Sequence, residues 1–186
     1  MEAFLAALVM LGTAACGSAD AVPAGRSATV DLATPSDLKL TGRVVDAANL
    51  MDDRSEQALT SRLEALERAT SDQVVLVTVP SLYGQSIERF SLDLANRWKV
   101  GRADVDNGVM ILVAPTDRKV RVEVGLGLEG LLTDAEAGEV IKKMLPRFEA
   151  ADYAGGLSIG VDQIDQLLRS DRRRPQPNPV PNGEAA

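Results

Sequence analysis

Two short, almost uninterrupted apolar runs constrain the fold of this chain most strongly. Residues 73–79 read QVVLVTV, and residues 109–114 read VMILVA. Runs of this length, rich in β-branched residues, are typical of strands covered on both faces, whereas a half-exposed strand alternates apolar and polar residues. Both runs are therefore predicted to be central strands of a sheet with helices on its two sides.

A third strand is predicted at residues 119–124, where Val alternates with Lys, Arg and Glu. This alternation is typical of a strand with one wet face. The tight turn at residues 115–117 separates it from the run before it, which predicts an antiparallel hairpin partner at the sheet edge. A further short strand is predicted at Val44 and Val45.

Four stretches have the apolar spacing of amphipathic helices. The first follows Asp52 and the second follows Ser86, and both residue types are common N-caps. The third follows a capping box formed by Thr133 and Glu136. These helices alternate with the predicted strands, which is the pattern of an α/β fold.

The boundaries of the last two helices are predicted from a proline and from the spacing of apolar residues. Pro146 is expected to end the third helix because proline removes a backbone donor. The fourth is expected to begin at about Gly156. The overall prediction is an α/β fold, a three-layer α/β/α sandwich with a mixed sheet of about four strands.

Composition excludes several function classes. The chain has no histidine and one cysteine, which excludes Ser-His-Asp triads, Cys-His dyads, His-containing zinc sites and intrachain disulfides. The formal net charge of -7 disfavours nucleic acid as a partner. The chemistry that remains is that of oxygen ligands and hard cations such as Ca²⁺ or Mg²⁺.

The N-terminal segment has the pattern of an export signal. Residues 3–11 are apolar, and four small residues follow directly before Cys16. This run is too short to span a bilayer and resembles the signal of a bacterial lipoprotein, with Cys16 as the acylated residue. The alternatives are a cleavable signal with an incidental cysteine and a cytosolic protein with an apolar first helix.

These observations predict four regions. Residues 1–16 form a lipoprotein-type signal segment, 17–39 a flexible tether, 40–169 the folded domain, and 170–186 a Pro-rich disordered tail. The protein is expected to be secreted across the inner membrane and held by its lipid, extracytoplasmic, at the cell membrane or in the periplasm.

Gly125, Gly127 and Gly130 spell GxGxxG directly after a predicted strand. A dinucleotide-binding fingerprint needs a helix opening from the glycines and an acidic residue at the end of the next parallel strand, and neither is predicted here. The motif is instead attributed to a loop that turns through positive φ.

Acidic and amide residues at predicted loop and element ends are candidate cation ligands. Part of the set is the sequence DVDNG at 104–108, before the second central strand, although its spacing fails the EF-hand pattern. Several carboxylates at one end of a sheet would repel one another without a cation. The candidate ligands for Ca²⁺ or Mg²⁺ are Asp46, Asp104, Asp106, Asn107, Asp117 and Asp134.

The alternative is that these residues are solvated turn and cap residues, which aspartate also favours. Asp72 is assigned to an ordinary turn before the first central strand, outside the candidate set.

Residues 42–168 resemble a TPM domain, the module shared by a thylakoid-lumen phosphatase-like protein, a photosystem II repair protein and an animal receptor-modulating membrane protein. The resembling segments are GRVVDAANLMDD, QVVLVTV with SLYGQSIERF, ANRWKVG, DNGVMILVAPTDRKVRVEVGLGLEGLLTD and MLPRFEAADYAGGL. The resemblance implies an α/β/α sandwich, usually secreted or membrane-attached. It also implies acidic loops that hold Ca²⁺ or a similar cation in some members and weak acid-phosphatase activity in others.

Three functions remain open. The leading one is a lipid-anchored extracytoplasmic module that binds a divalent cation at its acidic loops and assists a membrane or envelope protein complex. The second is a metal-assisted acid phosphatase of phosphomonoesters, in which Asp106 or Asp46 holds the metal and Arg118 and Arg43 are the nominated cations. The third is a structural envelope protein without a ligand.

Overall fold

The computed structural model describes residues 38–170, so the predicted signal segment with Cys16, most of the tether and the tail lie outside the described residues. A four-stranded sheet lies between two helical layers. The strands are β1 (Val44–Asp46), β2 (Gln73–Thr78), β3 (Gly108–Ala114) and β4 (Lys119–Val124). The helices are α1 (Asp53–Thr70), α2 (Ile87–Trp98), α3 (Asp134–Glu149) and α4 (Tyr153–Ser170), with a 3₁₀ turn at Leu126–Leu128.

The strand order is β1-β2-β3-β4. The first three strands are parallel, and β4 runs antiparallel to β3, with Ile111 opposite Val122. We call the end of the sheet where β1, β2 and β3 finish the carboxyl edge and the opposite end the amino edge. The mixed sheet confirms the predicted fold class.

Consecutive residues of the central strands face different helical layers. Val74 and Leu76 pack with α1, α3 and α4, whereas Val75 and Val77 pack with α2. All four side chains are fully buried. The apolar runs therefore lack alternation because both faces of the sheet are covered.

The two parallel crossovers lie on opposite faces of the sheet. Helix α1 connects β1 to β2 over one face, and α2 connects β2 to β3 over the other, while the chain steps across the sheet in one direction. The two β-α-β units therefore have opposite hands, and one departs from the usual right-handed rule.

The predicted starts of the first three helices are confirmed. The Asp52 side chain accepts a hydrogen bond from the Ser55 N–H, and Ser86 caps α2 in the same way. Thr133 and Glu136 form the capping box of α3. These caps satisfy backbone donors that the first turn of a helix leaves without partners.

Two boundary predictions were wrong. Helix α3 continues through Pro146 to Glu149, which is tolerated because Pro146 is exposed and lies in the last turn. Helix α4 begins at Tyr153 rather than Gly156, since the Asp152 side chain accepts the Gly155 N–H at 2.9 Å. The missing side chain of Gly156 leaves room for the Phe148 ring, so this glycine serves helix packing.

Candidate functional site

The structure divides the predicted cation ligands between the two edges of the sheet. No three acidic or cysteine side chains within residues 38–170 are arranged to hold a metal ion directly. The six residues therefore do not form one site as they stand. Asp46 and Asp117 lie at the carboxyl edge, Asp104, Asp106 and Asn107 precede β3 at the amino edge, and Asp134 is an exposed first residue of α3.

Asp46 at the carboxyl edge fastens the loop between β1 and α1. One carboxylate oxygen accepts the Met51 N–H at 2.8 Å, and the other accepts the Thr78 hydroxyl. Thr78 is fully buried at the end of β2, and its hydroxyl in turn accepts the Ala48 N–H at 3.0 Å. Two neighbouring strand ends and the loop are thus joined through one aspartate and one threonine.

Two further carboxylates lie close to Asp46 in the first turn of α1, namely Asp53 and Glu56. Partial burial raises the pKa of Glu56, and the nearby charges of Asp46 and Asp53 raise it further. Glu56 is therefore near enough to Asp46 and to Asp53 to be repelled by both. Their oxygen atoms are suited to Ca²⁺ or Mg²⁺, although they do not converge on one point.

Asp117 fastens a second loop at the carboxyl edge. Its carboxylate accepts the N–H of the buried Leu82 at 2.8 Å, which links the β3–β4 turn to the loop after β2. The next residue, Arg118, has a left-handed backbone with φ of 52°. It lines a cavity of about 480 Å³ that also contacts Phe148 and Tyr153, whose rings stack at 5.4 Å. Arg43, the other nominated cation, forms an ion pair with Glu67 on α1.

At the amino edge the buried group is an amide. Asn107 donates to the Ser71 carbonyl oxygen at 2.6 Å and to the Asp72 carboxylate at 3.1 Å, and it accepts the Arg102 N–H at 3.0 Å. Asp72 lies in the connection directly before β2, as predicted, but its side chain is only 1% exposed. The Asn107 amide thus holds both residues of this connection, the exposed Ser71 and the buried Asp72.

The carboxylates beside Asn107 are exposed. Asp104 forms an ion pair with Arg102 at 2.7 Å. Asp106 has φ of 53°, and its N–H donates to the Arg102 carbonyl at 2.7 Å. Aspartate tolerates this left-handed conformation better than most residues, so the conformation of the turn accounts for Asp106.

The sequence pattern of the TPM domain matches residues 44–167. This chain belongs to the TPM-domain family. The comparison with curated proteins finds no match.

Solved structures of bacterial proteins share the fold of this TPM domain. The N-terminal domain of a P. gingivalis protein is 34% identical, with a TM-score of 0.67 over 74% of this chain and 92% of that chain. The N-terminal domain of the cg2496 protein from Corynebacterium glutamicum is 15% identical, with a TM-score of 0.56 over 69% of this chain and 80% of that chain. The BA42 protein from Bizionia argentinensis is 18% identical, with a TM-score of 0.57 over 63% of this chain and 81% of that chain.

In this TPM domain the glycine motif holds two loops together. A Cβ atom on Gly125 would lie 2.2 Å from the Asp106 carbonyl oxygen, and one on Gly127 would lie 1.9 Å from that of Val105. Neither glycine has a positive φ, so the predicted reason for them was wrong. They are required for close backbone approach between the loops before β3 and after β4, and not for a turn.

The sequence analysis overlooked Thr78, Asp53 and Glu56. Thr78 was counted within an apolar strand, although a hydroxyl at the end of a buried strand needs partners. Asp53 and Glu56 stand at the start of a predicted amphipathic helix and are not among the candidate ligands. Their spacing of three residues in a first turn places both on the side of α1 near the end of β1.

No helix in the part of the chain that the structure describes is long and apolar enough to cross a membrane.

Proposed function

We propose that this TPM domain is a lipid-anchored extracytoplasmic module that binds a divalent cation at the carboxyl edge of its sheet and assists a membrane or envelope protein complex. The observation that carries the cation site is that Glu56, in the first turn of α1, lies near the charges of both Asp46 and Asp53. Repulsion among these carboxylates would be relieved by a bound cation.

The remaining lone pairs support this assignment. Each carboxylate oxygen accepts up to two hydrogen bonds, and Asp46 uses one on each oxygen. Asp53 is exposed and Glu56 is partly buried, so both side chains can turn towards Asp46 while water completes the ligand shell. Ca²⁺ tolerates such irregular, partly hydrated oxygen sites.

Thermal unfolding with and without Ca²⁺ or Mg²⁺ tests the cation site. At a hundredfold excess over its dissociation constant, the ion is expected to add about 2.7 kcal/mol to the free energy of unfolding. Glu56→Gln and Asp53→Asn should each reduce this gain. Glu139→Gln, which removes an exposed charge on α3, is the matched control and should retain it. Equal gains in all variants, or no gain in the parent, would exclude a site at this edge.

The anchor is tested separately, because Cys16 lies outside the described residues. Cys16→Ser should abolish lipid labelling and release the protein from membranes, since dual acylation is what makes anchoring stable. Retention of the Cys16→Ser protein on salt-washed membranes would show that the lipid is not the anchor.

A metal-assisted phosphatase is the second candidate, and one observation favours it. Arg118 lines a cavity at the carboxyl edge, where an arginine can pair with a phosphoryl group. This function predicts metal-dependent turnover of p-nitrophenyl phosphate that Arg118→Ala abolishes. Absence of turnover at every metal concentration would exclude the phosphatase and leave the cation-binding module as the proposed function. If the ion also fails to stabilise the protein, the structural role without a ligand would be supported.

A further inference from the structure

The exposed apolar side chains of this domain are clustered. Among the described residues, four large apolar side chains are exposed, and three of them lie in one region at the amino edge. Leu92 on α2 is 50% exposed, and Leu126 in the 3₁₀ turn is 72% exposed. Val105 belongs to the same region, and Leu145 is the fourth, at the carboxyl-edge cavity. We call Leu92, Val105 and Leu126 the amino-edge patch.

A groove of about 310 Å³ connects these side chains. Leu92 and Leu126 line it together with apolar groups of α2, β3 and β4, including Ala95, Met110 and Val124. Val105 adjoins the groove because its carbonyl oxygen packs against Gly127, the neighbour of Leu126. Scattered exposed leucines are normal on a protein surface, whereas a contiguous apolar groove indicates a binding surface.

The loops that present the patch are held in place. Gly125 and Gly127 contact the backbone of the loop before β3, and the Gly127 N–H donates to the Asp106 carbonyl at 3.1 Å. On the other side, Asn107 fastens that loop to the end of α1. The GxG sequence thus builds a fixed support for Leu126, so a partner would bind without paying the full entropy of ordering these loops.

The charge of the groove is negative. Asp106, Glu123 and Glu129 line it, and Glu123 forms an ion pair with Arg121. Neither Asp106 nor Glu129 has a cation within 4.0 Å among residues 38–170. An apolar groove bordered by two carboxylates without cation partners is complementary to a segment with apolar and basic side chains.

We propose that the amino-edge patch binds a segment of a second protein that presents apolar side chains next to Lys or Arg. The inference rests on the proposed function as an assembly module and adds the chemistry of the partner. It does not depend on the cation, because the patch and Asp46 lie at opposite edges of the sheet.

Titration of the full chain with a synthetic amphipathic Leu/Lys peptide, followed by backbone amide resonances, tests this inference. The peptide should shift resonances around Leu92, Val105 and Leu126, and the Leu/Glu counterpart should not. Leu92→Ser combined with Leu126→Ser should weaken binding about tenfold or more, because each leucine would otherwise be buried. Leu145→Ser removes the exposed leucine at the other edge and should leave the affinity unchanged.

The charge is tested with Glu129→Gln, which should weaken binding by about threefold at low salt and less at high salt. Equal affinity in the double leucine variant and in Leu145→Ser would overturn the inference. Resonance changes at the patch that depend on protein concentration alone would assign it to a second copy and overturn it as well. Resonance changes at the patch on deletion of residues 171–186 would assign the patch to the chain's own tail, and this too would overturn the inference. Failure of Ca²⁺ to stabilise the parent protein, with peptide binding at the patch intact, would refute the cation site alone.

Discussion

The carboxyl and amino edges of this TPM domain use the same residue types for different tasks. At the carboxyl edge, Asp46 and Asp117 accept backbone N–H groups and hold loops in place. At the amino edge, the fastening group is the amide of Asn107, and the neighbouring Asp104 and Asp106 are exposed. An aspartate in a loop is therefore not by itself a ligand, because its oxygens can be committed to the backbone.

The difference follows from the groups that each loop leaves without partners. The carboxyl-edge loops present N–H donors, which a carboxylate satisfies with charge-assisted hydrogen bonds. The amino edge presents a carbonyl, a carboxylate and an N–H at once, and an amide side chain can donate two hydrogen bonds and accept a third. At the carboxyl edge, partial burial raises the pKa of Glu56, and the charges of Asp46 and Asp53 raise it further.

The largest effect is expected from Gly127→Ala at the amino edge. A Cβ atom there would meet the Val105 carbonyl oxygen at 1.9 Å, and a backbone atom cannot move aside cheaply. The variant should lose about 3 kcal/mol of unfolding free energy in urea denaturation. Gly130→Ala is the matched control, because no atom lies within 4 Å of its added Cβ. A loss in both variants, or in neither, would show that the two loops are not held by close packing.

Asn107→Asp separates a structural amide from a cation ligand. The new carboxylate would face the Ser71 carbonyl and the buried Asp72 carboxylate, so we expect a loss of about 2–3 kcal/mol by denaturant titration. Asp106→Asn makes the opposite change at the preceding residue and should lower the free energy of unfolding by less than about 0.5 kcal/mol. If Asn107→Asp instead strengthened Ca²⁺ binding with little loss of stability, the amino edge would be the cation site.

Asp46→Asn should destabilise the cation-free domain by about 1–2 kcal/mol, because the amide provides one acceptor where the loop needs two. This reverses the simpler expectation that removing one of several like charges stabilises the protein. Asp53→Asn removes a nearby charge without breaking a backbone hydrogen bond and is the control. A Tm of Asp46→Asn at or above that of the parent would mean that repulsion between Asp46 and its neighbouring carboxylates destabilises the domain more than the two hydrogen bonds of Asp46 stabilise it.

The smallest effect concerns Glu56 and pH. Because its pKa is raised in the folded state, mainly by burial, stability is lost as pH rises from its ordinary value through the raised one. Glu56→Gln should therefore gain stability relative to the parent between about pH 4 and pH 7, by less than about 1 kcal/mol since the side chain is partly solvated. A difference in unfolding free energy between the two proteins that does not change with pH would show that the pKa of Glu56 is not raised.

The sequence predicted the fold better than the sites, for physical reasons. The runs around Val75 and Ile111 and the caps at Asp52 and Ser86 depend on local burial and local hydrogen bonds, which periodicity reveals. The roles of Asp46, Asp72 and Asn107 depend on partners about 30 residues away, which periodicity does not reveal.

The glycine motif shows the same limit. The spacing GxGxxG suggests a turn or a nucleotide site. The atom that requires a glycine at position 127 is the carbonyl oxygen of Val105, which belongs to another loop. The exposed patch at Leu126 could likewise not be recognised before α2 and β4 were placed side by side.

The central claim is that the carboxyl edge is the cation-binding end of the domain. A titration of the isotope-labelled protein with Ca²⁺, followed residue by residue through backbone amide resonances, tests it most directly. The account predicts saturable shifts concentrated at residues 46–56, with residues 102–108 nearly unchanged, and loss of those shifts in Glu56→Gln. Shifts concentrated at residues 102–108, or no saturable shift at either edge, would contradict it.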